Sequence, residues 1–397
     1  MLTIPATAVY VDPSVYTREN SRVRLERMLP HIQCDNIREY DNAAREEMAK
    51  IGQRRHGKDD FGDDAVLVFT TFEPERQWAY YHFRDGPYAM EGRDGYCQSA
   101  LELNSVWGCV FRCAYCGFGR SIHFSLDVER LINGLDDVFA RYPEQRLYKY
   151  SNMTDLPPFE PELDAVAPMV RRFAQESDRY LMLFTKSDNI DFLLGLEHGG
   201  QTIISWSISC DTASRAVDKR APTMGERIDA MRKAQAAGYR VRARLSPIVP
   251  VRNWRQEYED LFDEMFAKAR PDIITLELLG WFGYEDLAKL VPLDMLDPEP
   301  TAAAEAAAEE LSSVGWGPFT EDFYQEVYRF CIEAVRRHSA TTPVSVCHGT
   351  QATWDALGGL MGMTPDNYIC NCGPTSAPGN PIYDAANAGR QSWGTPG

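Results

Sequence analysis

The sequence lacks any apolar run of about 18 residues, the length that a membrane-spanning helix requires. It opens on MLTIPATAVYVDPSVY, which places no basic segment before a long apolar one, so we expect no secretion signal. Positive charge is also scarce, because 41 Lys and Arg stand against 58 Asp and Glu, a net charge of -17. These absences predict a cytoplasmic protein without a membrane partner. They also mean that nucleic-acid binding would need a local basic patch.

Cysteine, in contrast, is plentiful, with 10 in a chain of 397 residues. A long chain without a secretion signal is a poor candidate for a disulfide framework. The cysteines therefore favour metal binding or catalysis. A hydrophobic fraction of 44% is enough for a large core.

Strand-like and helical patterns alternate from about residue 100. The strand candidates are ALELNSVW, RLYKYSN, YLMLFTK, TIISWSIS, RVRARLSPIV and DIITLELL, with TPVSVCHG as a further candidate. Strands joined by helices predict a parallel sheet with right-handed crossovers, so the fold class is α/β with a partial (β/α)6 TIM-like barrel. We predict an N-terminal α/β leader region over 1–100, the barrel with its C-terminal helices over 101–346, and a cysteine-bearing extension with a Gly/Pro-rich tail over 347–397. The tail, from about 373, is expected to be poorly ordered.

A cysteine triplet follows the first barrel strand in the segment NSVWGCVFRCAYCGFGR. Cys109, Cys113 and Cys116 have the spacing CxxxCxxC. Three thiolates on one loop can cap three irons of a [4Fe–4S] cluster and leave the fourth iron open. The open iron can bind the amino and carboxylate groups of S-adenosylmethionine (SAM), and an electron passed to the sulfonium then releases a 5′-deoxyadenosyl radical. The alternatives are a zinc site, which usually needs four protein ligands, or three unrelated core cysteines.

Several stretches resemble the spore photoproduct lyase branch of radical SAM enzymes, most clearly FTKSDNIDFLLGLEHGGQT, ISWSIS and RIDAMRKAQAAGYRVRARLSPIVP. The resemblance implies a partial barrel over the cluster and a set of SAM contacts. By the family's pattern, Tyr115 would lie beside the adenosyl group, Thr154 near the amino acid moiety, Lys186 at the carboxylate and Ser207 near the ribose or carboxylate. The structural alternative is that Lys186 caps a strand end and Ser207 is a buried hydroxyl.

Two departures from the family's pattern bear on the reaction. The lyases have a hydrogen-donating cysteine after the second strand, and this chain has Asn152 there. The tyrosine that follows the last cluster cysteine in the lyases is Gly117 here. Asparagine has no weak X–H bond to give to a carbon radical, so the resemblance implies a different radical reaction from dimer repair.

A second group of cysteines lies near the C-terminus, in VCHG and YICNCGP. Cys347, Cys370 and Cys372, beside His348, are candidate ligands of a second iron–sulfur cluster, and Cys97 could supply a further ligand. Alternatively, one of these thiols replaces the missing hydrogen donor, or all of them are unliganded core or surface cysteines.

A basic island interrupts the acidic chain between Arg215 and Arg255, where eleven Lys and Arg face three acids. Arg240, Arg242 and Arg244 alternate along one predicted strand and therefore share a face. If they point into the barrel, they suit recognition of phosphate or carboxylate. The alternative is a solvated surface with ion pairs to the acidic excess.

Together these features predict an enzyme that cleaves SAM reductively and acts on a nucleobase or nucleotide, with a modified thymine in DNA as the first candidate. A flavodoxin- or ferredoxin-type reductase would supply the electron. Radical tailoring of a small molecule or peptide is the second hypothesis, and a non-catalytic iron–sulfur sensor is the third.

Overall fold

The structure, a computed structural model, describes residues 1–51, 65–73, 77–81, 95–98, 100–118, 121–312 and 317–388. The strands are β1 Ile4–Val11, β2 Ile32–Gln33, β3 Ile37–Glu39, β4 Ala65–Thr70, β5 Trp78–Tyr81, β6 Ala100–Leu103, β7 Val106–Trp107, β8 Ser121–Ser125, β9 Leu147–Tyr150, β10 Tyr180–Thr185, β11 Thr202–Ser207, β12 Arg240–Ile248, β13 Ile274–Leu278 and β14 Val344–Val346. The α-helices are α1 Glu19–Met28, α2 Asn42–Ile51, α3 Val128–Asn133, α4 Leu135–Arg141, α5 Val166–Phe173, α6 Asp211–Ala216, α7 Met224–Ala236, α8 Trp254–Lys268, α9 Tyr284–Leu290, α10 Pro298–Ala306, α11 Ala308–Leu311, α12 Glu321–His338, α13 Gln351–Met361 and α14 Pro381–Ala386. Over these residues, no helix combines the length and the apolar character needed to cross a bilayer.

The N-terminal sheet has the strand order β2–β1–β4–β8–β7, and β3 also pairs with β1. Its pairs are parallel except β7 with β8. The segment AVLVFT of β4 is buried throughout, as expected for a parallel strand covered on both faces. Strands β1 and β4 both lie within the predicted leader region. The sheet also takes in β7 and β8, which lie beyond residue 100 in the chain.

The second sheet has the order β14–β13–β12–β11–β10–β9–β6–β5 and curls into a half-barrel. From β6 to β14 the neighbouring strands are parallel and follow chain order, whereas β5 pairs antiparallel with β6. Helices return the chain between most of these strands, as parallel pairing requires. The predicted α/β partial barrel is confirmed, and the further candidate TPVSVCHG contains β14, a seventh parallel strand beside the six of the predicted barrel.

The two faces of this sheet have different coverings because side chains alternate along each strand. Leu181 and Leu183 of β10 belong to the large core together with Phe173 of α5. Met182, between them, lies on the opposite face in a small cluster that includes Ala377. We call this opposite side the inner face of the half-barrel. The C-terminal segment covers part of it.

The expectation of a poorly ordered tail is wrong for residues 373–388. Helix α14 packs on the sheet, and Tyr383 is buried with its hydroxyl donating to Asp272 Oδ2 at 2.6 Å. The Gly, Pro and Asn residues that suggested disorder form turns and caps, since the Asn380 side chain accepts from the backbone N–H of Ile382 at the start of α14. The last residues, 389–397, lie outside the described part of the chain.

Candidate active site

The cysteine triplet lies on the loop that follows β7, at the carboxyl edge of the strands, where barrel folds place their active sites. Two backbone hydrogen bonds attach this loop to the barrel. The Gly108 N–H donates to the Met153 carbonyl at 3.1 Å, and the Ala114 N–H donates to the Val217 carbonyl at 2.8 Å. The loop is therefore held by the segments after β9 and after β11.

Gly108 starts this loop in a conformation that requires glycine. Its φ is +91°, and a Cβ there would lie 2.0 Å from the carbonyl oxygen of Ser121. Gly108→Ala is therefore expected to lower the free energy of unfolding by about 1–3 kcal/mol from backbone strain, with the clash added. Urea unfolding measures the loss. Gly359→Ala is the control, because that helical glycine has no atom near its Cβ position, and this change should stabilise by about 0.5–1 kcal/mol. Equal stability of the two variants would contradict this description of the loop.

The spread of the three sulfurs distinguishes between the metal alternatives. Among the described residues, one group of three potential metal ligands has all its ligand atoms within 4.8 Å of one another. That group contains none of the three cysteines of the triplet. Cys109, Cys113 and Cys116 are thus too far apart to share one zinc ion in this arrangement. A cubic cluster holds each thiolate on a separate iron, so the wider spacing fits it.

None of the three thiols forms a disulfide, and Cys113 is buried whereas Cys109 and Cys116 are half-buried. Burial raises the pKa of all three thiols, with further increases at Cys109 from Asp155 and from the other two thiols. Metal ligation requires thiolates, so cluster binding must displace these protons.

Lys186, directly after β10, brings a cation to the triplet. Its Nζ lies 3.6 Å from Cys113 Sγ and 2.7 and 2.8 Å from the two carboxylate oxygens of Asp218. Arg227 also pairs with Asp218, at 2.9 Å. Burial alone would raise the pKa of Asp218, but the charges of Lys186 and Arg227 outweigh it and hold that pKa far below its usual range.

Tyr115 and Thr154, two of the predicted SAM contacts, also lie at the triplet. The Tyr115 hydroxyl donates to Asp218 Oδ1 at 2.7 Å, and the Lys186 ammonium lies 4.9 Å from the centre of its ring. The Thr154 hydroxyl donates to the carbonyl of Gly108. These two side chains and Lys186 therefore gather at the same edge as the cysteines.

Ser207 and Asn152 are less closely tied to the loop. Ser207 ends β11, and its carbonyl accepts from Arg227 Nη1 at 3.1 Å. Asn152 follows β9 and is half-buried, next to the Met153 carbonyl that holds Gly108. Their roles toward SAM and substrate stay predictions.

Sequence reasoning missed the buried acids of the site. Asp218 is one of the three acids within the basic island, and its side chain is fully buried between Lys186 and Arg227. Asp155 accepts from the Thr185 hydroxyl at 2.7 Å and from the Lys186 backbone N–H at 2.6 Å. Burial raises the pKa of Asp155 to about 6. The signal that could have found it is its position directly after Thr154, in the segment that follows β9.

The three strand arginines do not form an open phosphate site. Arg242 is fully buried, binds Asp272 at 3.0 Å and donates to the Asn371 carbonyl at 2.9 Å. Arg244 binds Glu277 at 2.6 Å. The contacts of Arg242 make it a structural residue. We correct its assignment to the substrate on this ground, whereas Arg240 and Arg244 stay candidates.

The basic island as a whole is largely neutralised by ion pairs. At least seven of its eleven cations pair with acids, namely Arg215, Arg227, Arg232, Lys233, Arg242, Arg244 and Arg255. Paired cations attract phosphate less than free ones. The arrangement therefore favours the structural alternative over a DNA-binding patch.

Comparison with known proteins places these residues in a family. The family model for spore photoproduct lyase matches residues 98–293. The spore photoproduct lyase of Clostridium acetobutylicum is 22% identical over 252 residues, which span 59% of this chain and 72% of that protein. The enzyme of a Geobacillus species is 24% identical over 166 residues, 40% of this chain and 48% of the relative. The chain is therefore similar to the spore photoproduct lyases, a branch of the radical SAM superfamily.

Solved structures agree on the fold of this radical SAM enzyme. A spore photoproduct lyase variant with dinucleoside spore photoproduct superposes with a TM-score of 0.64 at 16% identity, covering 87% of this chain and 98% of the other. A variant with bound AdoMet and the same dinucleoside has a TM-score of 0.64 at 15% identity, with the same coverage. The recognition made from the motif is confirmed, and so are the [4Fe–4S] cluster and SAM as the cofactors of such enzymes.

The C-terminal cysteines of this enzyme lie outside the residues that the family model matches. Cys347 directly follows β14 on the inner face, and Cys370 and Cys372 lie on the loop before α14. The neighbouring Cys370 thiol, with help from the Lys149 and Arg244 charges, lowers the pKa of the Cys372 thiol against the effect of burial. These thiols are therefore gathered at one place that the matched region does not explain.

Proposed function

We propose that this enzyme cleaves SAM reductively at a [4Fe–4S] cluster held by Cys109, Cys113 and Cys116, and acts on a nucleobase or nucleotide. A modified thymine in DNA is the first candidate substrate. The bound cluster and SAM supply a 5′-deoxyadenosyl radical. The observation that carries the proposal is the loop itself, with three sulfurs too widely spaced for one ion and the Lys186 ammonium 3.6 Å from Cys113 Sγ.

The surrounding side chains have matching tasks in this proposal. Lys186 offers its ammonium to the SAM carboxylate, and Arg227 continues to balance Asp218 when Lys186 turns to the ligand. Tyr115 lies along the adenosyl group, while Thr154 and Ser207 offer hydroxyls to its polar groups. In each case a residue of this chain orients the cosubstrate, and Arg227 keeps the charge of Asp218 balanced.

The expected outcome is a rearrangement or a change in C–C bonding rather than dimer reversal. Asn152 stands after β9, where the family's hydrogen-donating cysteine is expected. An amide cannot return a hydrogen atom to a product radical as a thiol can. Support for a nucleotide substrate comes from the two solved relatives that hold dinucleoside spore photoproduct.

The test is anaerobic reaction of the reconstituted, reduced protein with SAM and either DNA or free nucleosides, followed by mass spectrometry. We expect 5′-deoxyadenosine together with a new nucleoside mass in one of the two reactions. A flavodoxin or ferredoxin with its reductase replaces chemical reductant in a parallel reaction. Unchanged DNA and nucleosides would exclude the substrate class, and absence of 5′-deoxyadenosine would favour the iron–sulfur sensor.

Radical tailoring of a small molecule or peptide is the second candidate. The observation that favours it is the covering of the inner face by the C-terminal segment. Asn371 accepts from the Ser205 hydroxyl at 2.7 Å, and Ala377 packs with Met182 on that face. This covering narrows the space available to a large substrate.

A further inference from the structure

Four cysteines from distant parts of the chain meet at the inner face. Cys97 precedes β6, Cys347 follows β14, and Cys370 and Cys372 lie on the loop between α13 and α14. Cys97 and Cys372 each interact electrostatically with all three of the others. Tyr368 interacts with all four of the thiols. We call this group the four-cysteine site.

The backbone around the four-cysteine site is fastened by contacts between its separate segments. The Tyr96 N–H donates to the Gly349 carbonyl at 2.9 Å. The Gln98 amide donates to the Tyr368 carbonyl at 2.7 Å and accepts from the Thr375 hydroxyl at 2.7 Å. These bonds bring the residues beside Cys97 against the segments that carry Cys347, Cys370 and Cys372.

A glycine allows this close approach. A Cβ on Gly373 would lie 1.5 Å from Oε1 of Gln98, so no larger residue fits while Gln98 keeps its two hydrogen bonds. Gly373, directly after Cys372, therefore has to be glycine as long as Gln98, directly after Cys97, keeps its position. The sequence builds this contact between two ligand-bearing segments, as a preorganised site requires.

Two cations accompany the thiols, of which Lys149 is buried and Arg244 is half-buried. Lys149 binds Glu102 at 3.0 Å, and Arg244 binds Glu277 at 2.6 Å while its Nη2 lies 3.8 Å from Cys347 Sγ. Positive charge near a thiol favours its thiolate form, which is the form that binds iron. The four-cysteine site therefore has both soft ligands and compensating charge.

A single ion fits this place less well. Glu277, Cys347 and the adjacent His348 are close enough to bind one ion, with their ligand atoms within 4.8 Å. Both Glu277 oxygens are already engaged, since Oε2 binds Arg244 and Oε1 accepts from the Trp281 indole at 2.8 Å. No three of the four sulfurs lie within 4.8 Å of one another, so the site is not arranged around one ion and suits a cluster better.

We propose that Cys97, Cys347, Cys370 and Cys372 ligate a second [4Fe–4S] cluster at the inner face of the half-barrel. Four protein thiolates leave no iron open for SAM or substrate, so this cluster would exchange electrons rather than chelate a ligand. The proposal goes beyond the proposed function, because it concerns residues that cleavage of SAM does not require.

The test counts iron and sulfide after anaerobic reconstitution of the full chain with ferrous iron and sulfide. We expect about eight of each per chain in the wild type and about four in C109A/C113A/C116A, since each cube holds four of each. Adding C370S/C372S to the triple variant should remove the remaining iron and the electron paramagnetic resonance signal of the reduced cube. Adding C34A instead is the matched control and should leave both unchanged.

Three results would overturn the second cluster: no iron in the triple variant, one zinc ion per chain in place of the cube, or a Cys370–Cys372 disulfide in anaerobically purified protein. None of them bears on SAM cleavage by the wild type. The proposed function instead fails if the triple variant still forms 5′-deoxyadenosine. The two proposals can therefore fail separately.

Discussion

Replacement of Cys113 by alanine is expected to reduce 5′-deoxyadenosine formation from SAM to the level of a reaction without protein. Cys113 is the middle cysteine of the triplet and a proposed ligand, and its sulfur lies 3.6 Å from the Lys186 ammonium. A cluster with two protein thiolates has lost one of the three attachments that the loop provides. Without the cluster no electron reaches the sulfonium, so the loss should be complete. Chromatography of the anaerobic reaction measures it.

A control separates this effect from damage to the fold. Cys113 is buried, so its replacement also removes packing, whereas Cys34 is half-buried in the leader region with its thiol 3.5 Å from the Asn36 carbonyl. Cys34→Ala should keep full activity. Cys113→Ser, which is closer in size, should fold as the wild type does in circular dichroism and still make no product. Continued 5′-deoxyadenosine formation by Cys113→Ala would contradict the assignment of the ligands.

Local sequence patterns were sufficient to predict the partial barrel and to single out the cysteine triplet as the candidate cluster loop. The spacing of three cysteines on one short loop is fixed by the sequence, and the apolar, β-branched segments mark buried parallel strands wherever they occur. The segment YLMLFT, for example, became β10, with both of its faces buried as such a run suggests. Neither inference needed knowledge of distant contacts.

The acid at the centre of the site could not be predicted in this way. Asp218 lies 32 residues from Lys186, and nothing in the intervening sequence marks the pair. The same holds for Arg242, whose partners include Asp272 and the carbonyl of Asn371, 129 residues away. A run of cations in the sequence has two structural outcomes, an exposed patch or buried ion pairs, and the fold alone decides between them.

The prediction of a poorly ordered C-terminal segment was wrong because amino-acid composition does not reveal which contacts the residues make. Gly, Pro and Asn are typical of disorder, but the same residues cap helices and allow close approaches. Gly373 against Gln98 and Asn380 at the start of α14 are examples. The clustering of its cysteines in the sequence was the more informative signal.

Asp218→Asn is expected to lower the free energy of unfolding by about 3–5 kcal/mol, because it leaves two cations without their buried counter-charge. Asp218 and Arg227 are both fully buried, and Lys186 is largely so. Urea unfolding measures the change, and the dependence of the free energy of unfolding on urea concentration should stay the same. Asp211→Asn is the matched control, since the Asp211–Arg215 pair is exposed and should contribute less than about 1 kcal/mol.

The pH dependence of this difference provides a second readout. The folded-state pKa of Asp218 lies below its ordinary value of 3.8 because the two cations outweigh the effect of burial. The stabilisation that the carboxylate provides is therefore present above pH 3.8 and is lost as the pH falls toward the lowered pKa. The difference in the free energy of unfolding between wild type and Asp218→Asn should become smaller in acid. A difference that stayed constant with pH would mean that the charge of Asp218 does not stabilise the fold. Asp218→Asn/Arg227→Met should recover part of the loss, because it removes one of the two unpaired cations.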